Sequence, residues 1–140
     1  MTMKHYRGGC HCGAVRYEAE IDLTQGTNRC NCSLCSMARA WFCFVPSARF
    51  RVVAGEESMS EYRWTPPGRP ASFLSYRFCS HCGVRLYATG ELEALGGKFY
   101  AVHVPTIRGA DLDELAAAPL NLIDGAHDRF TEAPADTRLM

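Results

Sequence analysis

Seven of the eight cysteines stand in three tight clusters, and this spacing constrains the chain more than any other feature. The clusters are Cys10-His11-Cys12-Gly13, Cys30-Asn31-Cys32-Ser33-Leu34-Cys35 and Cys79-Ser80-His81-Cys82-Gly83, with Cys43 apart. Disulfide frameworks belong mainly to small secreted domains whose cores are too slight to hold them together. A chain of 140 residues buries roughly two-thirds of its unfolded surface on folding and needs no such crosslinks. Clustered C-x-C and C-x-x-C spacings in such a chain point to metal. Thiolates are soft donors, and zinc is the usual ion they hold.

Cys10/Cys12 and Cys79/Cys82 each lead into a glycine, Gly13 and Gly83. A residue without Cβ lets the backbone turn with positive φ and approach an ion closely. Two such knuckles from distant parts of the chain complete a tetrahedron. The spacing therefore predicts one closed, structural zinc at Cys10, Cys12, Cys79 and Cys82, with rival pairings or disulfides as the competing outcome. A zinc of this kind contributes on the order of 10 kcal/mol in zinc-peptide systems, enough to decide whether a modest β domain folds.

Cys30, Cys32 and Cys35 offer three thiolates and no obvious fourth cysteine. Three protein ligands leave one corner of a zinc site open, as catalytic zinc requires. Three thiolates also leave the centre with a net charge of about minus one, so it acidifies water less than a three-histidine site would. A thiol bound there as thiolate is the better-matched use. An open site holds its ion less securely than a closed one, so partial occupancy is expected. The competing readings are a second structural site completed by a histidine, a redox pair of Cys32 and Cys35, or three idle thiols.

Around these clusters the sequence reads as all-β. Val15, Tyr17, Ala19 and Ile21 alternate with Arg16, Glu18, Glu20 and Asp22, the period of a half-buried strand. Further short antiparallel strands are predicted at 41–45, 49–53, 59–64, 72–78, 84–88 and 98–104, all rich in aromatic or β-branched residues. One short peripheral helix is predicted from Asp111 to Pro119, with Asp111 as N-cap and Glu114 three residues later. The tail from Thr131 is expected to fray. One domain over residues 1–140 is expected, with a core at about 5–110 and a C-terminal extension at 111–140.

Fifteen basic residues balance fifteen acidic ones, which argues against a general grip on nucleic acid or an anionic membrane. The start of the chain lacks the apolar segment of a secretory signal, and no stretch nears about eighteen uninterrupted apolar residues. A soluble, cytoplasmic protein is expected. Cys43, within Trp41-Phe42-Cys43-Phe44-Val45, reads as a small buried hydrophobe. His11 and His81 read as exposed or supporting groups beside the knuckles. His103 reads as a core or edge histidine, with proton transfer as the alternative. Trp41, Phe42, Trp64 and Phe73 read as core, with shielding of a thiolate as a further use for an aromatic beside the triplet.

In their order and spacing, the three cysteine clusters resemble the glutathione-dependent formaldehyde-activating enzyme family, whose domain is shared with centromere protein V. The likeness spans about residues 5–110, and Asp124-Gly125-Ala126-His127-Asp128 resembles a C-terminal motif of many bacterial members. The resemblance implies stacked short sheets, the β-tent, stapled by structural zinc at Cys10, Cys12, Cys79 and Cys82. It implies a catalytic zinc at Cys30, Cys32 and Cys35, and carbon-sulfur lyase chemistry joining glutathione to formaldehyde as S-hydroxymethylglutathione. A small thiol and a small aldehyde are the partners so implied. The alternative is a non-catalytic zinc module or glutathione carrier. Many relatives follow the third cysteine with basic residues and a glycine, whereas this chain reads Ser36-Met37-Ala38-Arg39-Ala40. Arg39, Arg29 or another cation must then hold glutathione's carboxylates, or the natural thiol or electrophile differs.

Overall fold

The strand with the strict alternation is the inner strand of a small sheet. In the computed structural model, which describes residues 3–68 and 74–140, β1 (Lys4–Gly9), β2 (Arg16–Ile21) and β5 (Phe50–Ala54) form an antiparallel sheet in the order β1-β2-β5. Val15, Tyr17, Ala19 and Ile21 are all buried, so the period of two marks the core face as expected.

The larger sheet has seven strands. These are β3 (Thr27–Cys30), β4 (Phe42–Pro46), β6 (Met59–Trp64), β7 (Leu74–Cys79), β8 (Arg85–Leu92), β9 (Gly97–His103) and β10 (Leu120–Ile123), in the order β10-β3-β4-β9-β8-β7-β6. All neighbours are antiparallel except β10, which runs parallel to β3 with Leu120 opposite Thr27 and Ile123 opposite Cys30. The all-β, mainly antiparallel architecture matches expectation, and the parallel edge is an addition to it. The prediction over 72–78 lies partly outside the described residues, as does Phe73.

Aromatic rings weld the sheets together. Phe50 of β5 stacks on Tyr17 at 5.0 Å and on Tyr100 of β9 at 4.2 Å, and meets Tyr87 of β8 edge-on at 5.0 Å. Such pairs are worth about 0.5–1.5 kcal/mol each beyond the area they bury. The Tyr17 hydroxyl lies 2.8 Å from Thr106 Oγ1, which in turn donates to the His103 carbonyl at 2.7 Å.

Two short helices accompany the strands, where one was expected. The predicted one is α2 (Leu112–Ala117), whose N-cap Asp111 and Glu114 form a reciprocal capping box. The other, α1 (Ser33–Ala38), lies within the cysteine triplet. Its N-cap is Cys32, whose sulfur accepts the Cys35 N–H at 3.4 Å, and it ends at Arg39 in the left-handed region with φ of 52°. Six residues are too few to display helical periodicity, and a cysteine N-cap is not a usual start signal. The tail is also held, against the expectation of fraying. Glu132 accepts the Asp124 N–H at 3.0 Å, and Arg39 Nη1 donates to the Leu139 carbonyl. No helix among the described residues is long and apolar enough to cross a membrane.

Candidate metal centres and the adjoining cavity

The two glycine-ended knuckles are sharp turns of the same construction. In the first, between β1 and β2, Cys10 N–H bonds the Val15 carbonyl at 3.1 Å and Gly13 N–H bonds the Cys10 carbonyl at 3.3 Å. In the second, between β7 and β8, Cys79 N–H bonds Val84 at 3.0 Å and Gly83 N–H bonds Cys79 at 2.8 Å. Gly13 and Gly83 take φ of 83° and 75°, which is where a Cβ would be strained. The turns bring Cys10, Cys12, Cys79 and Cys82 into one group whose sulfurs all lie within 4.8 Å of one another. The Cys10–Cys12 and Cys12–Cys79 separations are both 3.6 Å. Tetrahedral zinc with Zn–S bonds of about 2.3 Å requires sulfurs about 3.8 Å apart, so the donor set fits the ion.

Backbone donors supply further support. Val15 N–H points at Cys10 Sγ at 3.3 Å and His81 N–H at Cys79 Sγ at 3.4 Å. Hydrogen bonds from backbone Cys12 and Val84 pull the Cys82 thiol down to about 6, favouring the thiolate that a metal needs. His11 and His81 are exposed and belong to neither metal-ligating group.

Cys30, Cys32 and Cys35 form the second group, again with sulfurs within 4.8 Å of one another and no fourth histidine, cysteine or carboxylate donor among the described residues. Cys30 ends β3, Cys32 caps α1 and Cys35 lies in its first turn. Cys32 N–H bonds Cys30 Sγ at 3.4 Å. Hydrogen bonds with the Cys30 and Cys35 sulfurs hold the Cys32 thiol well below its ordinary value, while contacts with Cys30 and Cys32 raise Cys35. Cys43 stands outside both groups, buried, with its thiol pushed up to about 12 by burial, as expected of a small core residue.

The triplet is braced by a segment that spacing alone left unassigned. β10 runs into Asp124, a buried carboxylate that accepts the Asn31 amide at 2.8 Å and lies 2.8 Å from His127 Nδ1. Asn31 returns its carbonyl oxygen to Ala126 N–H at 2.9 Å, and its own N–H bonds the Ile123 carbonyl at 3.2 Å. Because Asn31 lies between Cys30 and Cys32, these bonds fix the loop that carries the first two sulfurs. The Asn31 contact, followed by His127, holds the Asp124 carboxyl below the usual range. No spacing rule pairs residue 31 with residue 124; the parallel β3–β10 register does.

Beside the triplet opens a cavity of about 430 Å³, within the usual range for small-molecule sites. Its wall is largely aromatic and aliphatic, with Phe42, Phe44, Trp64, Tyr76, Phe99 and Phe130 among its residues, and Cys30, Cys32 and Cys35 belong to it. Phe42 and Trp64, expected as core, thus face the cavity. His103 also lines it, with its imidazole held below the ordinary histidine value first by burial and then by the charge of Arg85. Arg39 and Arg29 do not line it. Arg39 is engaged with the tail, and the Arg29 guanidinium lies over the Trp41 ring at 5.3 Å. Among the described residues the arginine that reaches the cavity is Arg85, which opens β8 and carries no distinguishing sequence signal.

A family model for the glutathione-dependent formaldehyde-activating enzyme matches residues 5–119. The chain belongs to that family. It is also similar to a solved structure, the crystal structure of a Rhodobacter sphaeroides protein, with 26% identity over 81% of this chain and 98% of the other and a TM-score of 0.64. Both cysteine groups lie inside the family match. β10 and the Asp124 brace lie beyond it.

Proposed function

We propose that this member of the glutathione-dependent formaldehyde-activating enzyme family is a carbon-sulfur lyase that reversibly joins a small thiol to a small aldehyde, with glutathione and formaldehyde as the family's pair. The observation that carries this reading is the contrast between the two cysteine groups. Four sulfurs close one site, whereas three sulfurs on the wall of an apolar cavity leave the other reachable by a ligand. Cys10, Cys12, Cys79 and Cys82 would hold structural zinc, and Cys30, Cys32 and Cys35 would hold the zinc used in catalysis. When bound at the triplet, the ion supplies an open position that keeps an incoming thiol deprotonated.

The chain's own residues do the rest. The Asn31–Asp124 brace holds Cys30 and Cys32 in register. Phe42 and Trp64 line the cavity, and an apolar wall of this kind would leave a nucleophile bound there less solvated. In the forward direction the thiol gives its proton to solvent, the thiolate sulfur forms a bond to the carbonyl carbon, the C=O π pair moves to oxygen, and that oxygen takes one proton back from solvent, so that no net proton is consumed. The reverse expels the thiolate and restores the carbonyl.

Metal analysis and NMR of the thiol adduct test the reading. Two zinc ions per chain and faster exchange between free and adducted glutathione are expected, with Cys35→Ser abolishing the rate effect and one ion. A single ion per chain with no rate effect would instead describe a zinc-binding module.

A further inference from the structure

One nitrogen of a cationic side chain on the cavity wall has no hydrogen-bond partner among the described residues. The side chain is Arg85, and the nitrogen is its buried Nη1. The guanidinium is placed by its stack on Tyr76, with Cζ 4.6 Å from the ring centroid. Tyr76 lines the same cavity as the triplet. A buried guanidinium N–H without an acceptor is costly, and an oxygen acceptor brought into the cavity would complete it. Among the described residues that line the cavity, Arg85 is the one lysine or arginine. His103, kept toward its neutral form by burial and by Arg85, does not add a second cation.

The wall restricts what can carry that oxygen. Glutathione brings two carboxylates, an ammonium and two amides. The described wall offers Ser33, His103 and Asp128 together with Arg85, too few to match all of these groups, so over the aromatic and aliphatic remainder several would be desolvated without partners. Formaldehyde would leave most of the cavity unfilled and Arg85 unmatched. An aryl or branched-alkyl body with one carboxylate satisfies both features at once, since the body fills the apolar space and the carboxylate takes the planar donor edge of Arg85.

We infer that the cavity selects an apolar carbonyl compound carrying a carboxylate, held at Arg85 with its apolar body against the aromatic wall beside the triplet. This deepens the proposed function, on which it rests for the identity of the reaction, while the binding itself stands apart from turnover.

Isothermal titration of the zinc-loaded chain with 4-formylbenzoate and 4-formylbenzamide tests it. The carboxylate is expected to bind about tenfold tighter or better than the amide, and Arg85→Met should erase that difference. The same variant should melt no lower than wild type, because it removes a buried donor that lacks a partner. Equal affinity for the two probes would overturn the inference, as would Arg85→Met melting lower while keeping the preference. Glutathione displacing 4-formylbenzoate from wild type but not binding Arg85→Met would overturn it too, assigning the carboxylate to the thiol. Cys35→Ser separates the two readings. Probe binding that persists in wild type and in Cys35→Ser, with no thiol chemistry in wild type, sinks the proposed reaction and leaves the cavity's selectivity standing.

Discussion

Gly125 packs so tightly against Cys30 that a Cβ at position 125 would lie 2.4 Å from the cysteine Sγ. The contact joins the segment after β10 to the first sulfur of the triplet, which could yield only by turning away from Cys32 and Cys35. Gly125→Ala must therefore displace Cys30 or lift the segment away. The expected outcome is a protein that keeps its structural metal and most of its melting temperature but loses the triplet's ion. Metal content by mass spectrometry of the native chain checks it; retention of both ions would contradict the proposed packing.

The division of labour between the cysteine groups makes a second prediction. Cys82→Ser opens the junction between the β1–β2 and β7–β8 turns, so it should cost several kcal/mol and lower the melting temperature steeply, as loss of a structural zinc does. Cys35→Ser alters a site on the cavity wall and should lower it far less. Thermal melts of both variants beside their zinc content give the comparison. Equal destabilisation would remove the distinction between a stapling site and a working one.

What the sequence discloses of this fold depends on how local the signal is. β2 was legible because Val15 to Ile21 alternate without interruption, and α2 because Asp111 and Glu114 lie three residues apart. The cysteine groups were legible because thiolates combine in few ways. β1 was missed since Lys4-His5-Tyr6-Arg7-Gly8-Gly9 is polar and glycine-rich, and β3 and β10 because four residues each carry no period. The Asn31–Asp124 pair and the presence of Arg85 on the same cavity wall as the triplet are products of strand order, with partners 93 residues apart in the first case. No window along the chain contains them.

At the seam between the sheets, Tyr17 places its hydroxyl 2.8 Å from Thr106 Oγ1. Thr106 already donates to the His103 carbonyl, so in this pair the tyrosine is the donor. Tyr17→Phe removes that donor and leaves the threonine with its bond to His103. A loss of about 1 kcal/mol is expected, the net worth of one buried neutral hydrogen bond. Gly8→Ala should be worse, because a Cβ there would run into the Tyr17 ring, 2.1 Å from Cζ. Urea unfolding of the two variants ranks them.

Helix α2 is fastened to β1 by charge. Glu114 accepts from Lys4 Nζ at 2.7 Å and from the Tyr6 hydroxyl at 2.8 Å, and it closes the capping box with Asp111. Its carboxyl is held below the usual range, first by the Lys4 hydrogen bond and then by Tyr6. A folded-state pKa below the unfolded one, near about 4.3, means that the charged form stabilises the fold above that pH. The contribution fades as pH falls through the lowered folded value. Glu114→Gln should therefore melt below wild type at neutral pH, with the gap closing under acid conditions below pH of about 4. The paired melting curves need matched zinc occupancy, because acid also protonates the thiolates. A gap that stays constant from neutral to acid would show that Glu114 fastens the helix through its capping geometry and not through its charge.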